Sequence, residues 1–75
     1  MTKQEAAIKY ITENYLDYNR LRHDVIADKL QVRDETGWRE ITKHDINSIV
    51  CHAAQEYDAN ITSREVMTAL QSDLI

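Results

Sequence analysis

Four basic residues, Arg20, Arg22, Lys29 and Arg33, follow one another along a short stretch, with Trp38 and Arg39 close behind. A guanidinium or ammonium group contacts phosphate oxygens, and an exposed indole offers a face on which a base stacks. These six residues form the candidate binding set. A competing reading makes the same stretch a solvated face, partly neutralised by Asp24 and Asp28, with Trp38 filling the core.

Other chemistry finds less support. His44, Cys51 and His52 are close in number, yet on a helix positions 51 and 52 diverge by about 100°, and His44 lies roughly 12 Å from His52 along the axis. No pair sits at the i, i+4 or C-x-x-C spacing that a zinc site uses. Adjacent helical side chains cannot make a Cys51–His52 nucleophile–base pair. Ser48 stands four residues from both His44 and His52, but without a third member or an oxyanion device. With one glycine in the chain, a glycine-rich phosphate loop is excluded. The expectation is no enzymatic activity, no cofactor and no small-molecule ligand.

Three kinds of element must position the basic residues. Thr2 and Glu5 have capping-box spacing ahead of a stripe of Ala7, Ile8, Ile11, Tyr15 and Leu16, which predicts a helix from about Lys3 to Leu16 or Asp17. From Arg20 the period changes to two, with Leu21, His23 and Val25 on one side and Arg20, Arg22 and Asp24 on the other. Lys29 to Arg33 alternates likewise, Leu30 and Val32 inward. A hairpin around Ala27-Asp28 sets Val25 opposite Leu30, His23 opposite Val32 and Arg22 opposite or nearly opposite Arg33. Ala27-Asp28 is not a favoured two-residue turn, which leaves a four-residue loop equally open. Like charges facing across strands are mildly destabilising, so a purely structural hairpin would more often alternate signs.

Asp34-Glu35-Thr36-Gly37 reads as a second turn and Trp38 to Ile41 as a third strand. Trp38 and Ile41 cannot share a face without a bulge, for which Gly37 is a suitable place. Thr42 with Asp45 then caps a second helix, whose stripe is Ile46, Ile49, Val50, Ala53 and Tyr57. Asp58-Ala59-Asn60 closes it. Thr62 with Glu65 forms a third capping pair, stapled by Ile61, before a helix carrying Val66, Met67, Leu70 and Leu74. The fold class is α+β: a small three-stranded antiparallel sheet with three helices packed on one face, in the order α-β-β-β-α-α. The last two helices also resemble a helix-turn-helix, with Thr62, Ser63 and Arg64 at the recognition position. One arginine followed by Glu65 suits a DNA groove poorly.

The 75 residues make a single small domain with one thin core and no room for a deep cleft beside it. A net charge of −4 argues against a surface that clings to nucleic acid all over, though not against a local basic patch. One cysteine excludes an internal disulfide. No apolar run approaches a membrane span and the start lacks a signal-peptide pattern, so a cytoplasmic location is the default. The apolar end, Leu74-Ile75, suggests a fragment of a longer protein.

The run K-L-Q-V-R-D-E-T-G-W-R-E-I-T-K-H-D-I-N-S-I, from Lys29 to Ile49, resembles a region of virulence-associated protein E-like proteins, and the later S-D-L-I looks like the end of that region. Those are large proteins of bacterial mobile elements and phages that pair primase-type domains with a superfamily 3-like helicase ATPase. The resemblance implies an accessory domain outside the ATP-binding motifs, with Trp38, Asp45, Ile46, Asn47 and Ile49 defining the fold. His23-Asp24 departs from it, standing where an aromatic and an asparagine are expected.

The leading functional expectation is a non-catalytic accessory domain of a mobile-element replication protein that contacts DNA through the six candidate residues. The alternatives are a protein-interaction or interdomain spacer docking on other domains of the parent protein, and a helix-turn-helix-like DNA-binding regulator. The direction of Trp38 discriminates: inward it is architecture, and outward beside Arg33 it is a binding group.

Overall fold

The structure is a computed structural model that describes residues 1–74. Thr2 starts the first helix as its spacing predicts: the Glu5 N–H donates to the Thr2 hydroxyl at 3.1 Å, and the Thr2 N–H donates to the Glu5 carboxylate at 3.3 Å. Two donors orphaned at a helix start are thereby satisfied. Helix α1 spans Lys3–Ile11. Its continuation, Thr12–Leu16, widens into a π-turn, which a 3.6-residue period does not announce. Asn19, at a φ of 54°, then swings the chain into the sheet, a conformation asparagine tolerates better than most residues.

Strands β1 (Leu21–Asp24), β2 (Lys29–Asp34) and β3 (Gly37–Glu40) form one antiparallel sheet in that order. The hairpin register differs from the expected one. Leu21 pairs with Val32, His23 with Leu30 and Arg22 with Gln31, so Val25 leaves the sheet altogether. The connection is a four-residue turn. The Asp24 carboxylate accepts the N–H groups of Ile26 and Ala27 at 3.2 Å each, and Asp28 takes a left-handed φ of 53°. A self-capping Asp at the turn entrance supplies what Ala27-Asp28 lacks as a two-residue turn.

The second turn is tighter. The Thr36 N–H and hydroxyl both donate to the Asp34 carboxylate, at 2.8 and 2.6 Å. Gly37 sits at a φ of +115°, where a side chain would be strained. Trp38 pairs with Arg33, and the Ile41 N–H donates to the Leu30 carbonyl, so alternation runs through β3 without a bulge. Trp38 and Ile41 simply face opposite sides.

Helix α2 spans Lys43–Tyr57 behind a complete Thr42–Asp45 capping box and ends on Asp58 in the left-handed conformation. Helix α3 is shorter, Ser63–Thr68, followed by a second π-turn at Ala69–Asp73. The third capping pair forms only in part. The Thr62 hydroxyl donates to the Glu65 carboxylate instead of accepting a backbone N–H.

All three helices lie on the face of the sheet that carries Leu21 and Val32. Those two side chains share one core with Ala6, Ala7, Tyr10, Ile11, Ile49, Ala53, Ile61, Val66, Ala69 and Leu70. Leu30 and Ile41 border it from the sheet, and Ile46, Val50 and Tyr57 from α2. Ala6, Ala7, Ala53 and Ala69 are fully buried, which lets the helices approach closely where larger side chains would hold them apart. Leu74 is half-buried against the core, while Ile75 lies outside the described residues.

Candidate nucleic-acid interface

With Leu21 and Val32 turned to the helices, alternation turns Arg20 and Arg22 of the β1 edge, Lys29, Gln31 and Arg33 of β2, and Trp38 and Glu40 of β3 to the opposite face. Trp38 stands directly across from Arg33. The Arg33 N–H donates to the Arg20 carbonyl at 2.9 Å, which carries the same row across to β1. In the neighbouring row Arg22 pairs with Gln31. The Arg22 guanidinium carbon lies 4.2 Å from the centre of the Trp38 ring, and that of Arg33 lies 6.0 Å away. Trp38 is half-buried among these arginines and outside the core.

The guanidinium groups are held but not neutralised. Arg22 Nε donates to Gln31 Oε1 at 2.7 Å, and Arg33 Nη2 to the Tyr18 carbonyl at 2.9 Å. The Arg20 guanidinium lies 5.1 Å from the Tyr15 ring centre. Among the described residues, no carboxylate comes within ion-pair distance of Arg20, Arg22 or Arg33. Arg20 and Arg33 also line an open depression of about 660 Å³ with Asp34, Glu35 and Thr36.

The other two candidates are placed differently. Lys29 shares the outer face but ion-pairs with Glu40 at 3.4 Å. Arg39 pairs with Val32, so it points to the helix side of the sheet. There it bridges Asp34 at 2.6 Å and Asp45 at 2.7 and 2.8 Å. Those carboxylates raise its pKa further, and the charge is spent on the junction of β3 with α2. The structure therefore brings together Arg20, Arg22, Arg33 and Trp38, with Lys29 at one edge and Arg39 apart.

Gln31 and Tyr15 were missed as supporting groups. Gln31 could have been found from its outward parity between Lys29 and Arg33. Tyr15, read only as part of a helical stripe, gave no such signal.

Elsewhere the groups stay dispersed. Ser48 Oγ lies 3.4 Å from His52 Nδ1, and among the described residues no third member joins them; Cys51 is exposed. Among the described residues no group of three or more His, Cys, Asp or Glu side chains could hold a metal ion. Thr62, Ser63 and Arg64 are exposed at the start of α3, a helix of 6 residues. No helix among the described residues is long and apolar enough to cross a membrane.

No family model, curated protein or solved structure matches the chain. None of these comparisons supports the likeness to virulence-associated protein E-like proteins.

Proposed function

We propose that this chain is a non-catalytic accessory domain that contacts DNA through the outer face of its sheet, within a mobile-element replication protein. The setting comes from the resemblance, and the contact from the residues. The observation that carries it is the stack of Arg22 on Trp38, flanked by Arg33 and Arg20, with none of the three charges neutralised. Basic groups beside an outward aromatic supply phosphate contact and a stacking platform together. The net charge of −4 does not oppose this reading strongly. Salt limits the reach of surface charges to about 8–10 Å, so carboxylates on the helices act weakly across the sheet.

Titration with DNA at low salt, repeated at higher salt, tests the reading. Salt-sensitive binding that is lost in an Arg22→Glu/Arg33→Glu variant supports it. No such binding, or binding unchanged in the variant, overturns it.

One observation favours the spacer reading. At the tip of the first hairpin Val25 and Ile26 are 78% and 99% exposed, an apolar pair suited to docking on another domain of the parent protein. Faster proteolysis of the full-length parent on Val25→Ser/Ile26→Ser substitution would support that docking, and unchanged proteolysis would remove it.

A further inference from the structure

The unneutralised charges occupy very little of the sheet. Arg20, Arg33 and Trp38 fill one cross-strand row, and Arg22 lies in the next. Carboxylates bound the patch on this face: Asp24 beside Lys29 toward the first turn, Glu40 across from Gln31, and Glu35 at the second turn, while Asp34 is engaged by Arg39 on the helix side. The Arg22–Gln31 row and the Arg33–Trp38 row are two residues apart on β2, about 7 Å at about 3.3 Å per residue. A major groove alone is about 12 Å wide, so the two phosphate rows of a duplex cannot both rest on this patch. A single row of phosphates fits it.

The aromatic points the same way. In a duplex each base already has its faces covered by its neighbours, and an indole on an open sheet has nothing to stack on. An unpaired strand offers free base faces. Arg22 now covers part of the Trp38 ring, and a base can take its place. Stacking of a base on an aromatic side chain is worth more than an exposed cation–π contact, and the released guanidinium is then free for a phosphate.

We infer that the ligand of this face is single-stranded nucleic acid, DNA or RNA, with one base laid on Trp38 and phosphates on Arg20, Arg22 and Arg33. This rests on the proposed nucleic-acid reading and narrows it.

Trp38 is the only tryptophan, so the intrinsic fluorescence of the unaltered protein reports on this one ring. Single-stranded DNA and RNA oligonucleotides are titrated beside a duplex of the same sequence. The expected result is quenching by the single strands, affinity at least about tenfold above the duplex, and similar values for DNA and RNA, because stacking and phosphate contact ignore the sugar. Three phosphate contacts at about 0.7 each give a slope of log K against log salt near −2. For variants that lack the indole, binding is followed by the anisotropy of an end-labelled oligonucleotide: Trp38→Ala should lower single-strand affinity about tenfold, while Trp38→Phe, which keeps an aromatic face, retains most of it.

A duplex bound as tightly as the single strand, or single-strand binding that leaves the fluorescence unchanged, overturns the inference and leaves the broader reading intact. Absence of salt-sensitive binding to every oligonucleotide overturns both.

Discussion

Arg39 grips Asp45 through two parallel hydrogen bonds, Nη1 to Oδ2 at 2.7 Å and Nη2 to Oδ1 at 2.8 Å. The same Asp45 carboxylate accepts the Thr42 N–H and hydroxyl at 2.8 Å each, closing the capping box of α2. One side chain thus ties the last strand to the helix that follows it. Its 12% exposure keeps water from competing well for those bonds.

Loss of that carboxylate should therefore cost more than a surface substitution. Asp45→Asn weakens the fork and the cap together, and hydrogen bonds to charged groups are worth about 1.5–3 kcal/mol. Unfolding in urea at pH 7 should show a loss of about 2 kcal/mol. A loss below about 0.5 kcal/mol would mean that Arg39 and Asp45 are an ordinary solvated pair.

The same junction sets the acid limit of the fold. The Arg39 hydrogen bonds hold the Asp45 carboxyl well below the usual range, and the Thr36 hydroxyl, helped by Arg39, lowers Asp34 to about 2. Groups with depressed folded pKa values bind fewer protons folded than unfolded near those values. The stability they contribute is complete above the unfolded value of about 4 and is lost as pH falls through the folded values. Unfolding midpoints measured from pH 6 down to pH 1 should decline below about pH 4. The gap between the unaltered chain and Asp45→Asn should close over the same interval. A gap that stays constant to pH 1 contradicts the linkage.

The hairpin register makes a sharper test. Val25 is 78% exposed in the turn and Val32 is 3% exposed in the core, although both were expected to face inward. Val32→Ala removes two buried carbons and should cost about 2 kcal/mol, while Val25→Ala should stay within about 0.5 kcal/mol. Equal costs in denaturant unfolding would restore the register that puts Val25 opposite Leu30.

That register shows what the sequence could and could not decide. A slip of one residue exchanges the faces of a strand, and alternation forbids it; a slip of two leaves every apolar side chain on its side. Only the turn separates the two alternatives, and the turn is decided by Asp24 capping Ile26 and Ala27 and by Asp28 accepting a positive φ. The stretch Asp24-Val25-Ile26-Ala27-Asp28 leaves the two-residue turn and the four-residue loop equally open. The caps at Thr2 and Thr42, the stripe through Ile49 and Ala53 and the order of elements were legible, because each is a local pattern with one structural solution. Burial of Ala6 and Tyr10 was not, since it depends on where α3 packs against α1. At the candidate site, parity placed Arg20, Arg22, Lys29 and Arg33 on one face. The orientation of Trp38 and the diversion of Arg39 to Asp45 emerged only once Gly37 was seen to make a turn without a bulge.

Alkali should find a different weak point. The Tyr57 hydroxyl donates to a Glu13 carboxylate oxygen at 2.9 Å, joining the end of α2 to the π-turn after α1. Desolvation, reinforced by that hydrogen bond to a carboxylate, pushes the phenol up to about 12 from its usual value near 10. Ionisation would place two negative charges in contact and remove the donor. A group whose folded pKa is raised contributes stability that is fully present below the unfolded value and is lost as pH rises through the folded one. Stability attributable to Tyr57 should thus be complete up to about pH 10 and gone above about pH 12. Tyr57→Phe should be less stable at neutral pH and show a shallower decline across that interval. Absorbance titration of the tyrosinates provides a second readout: burial raises Tyr10 and Tyr15 as well, but the component near pH 12 should vanish in Tyr57→Phe. A component near pH 12 that persists in the variant would assign it to another ring.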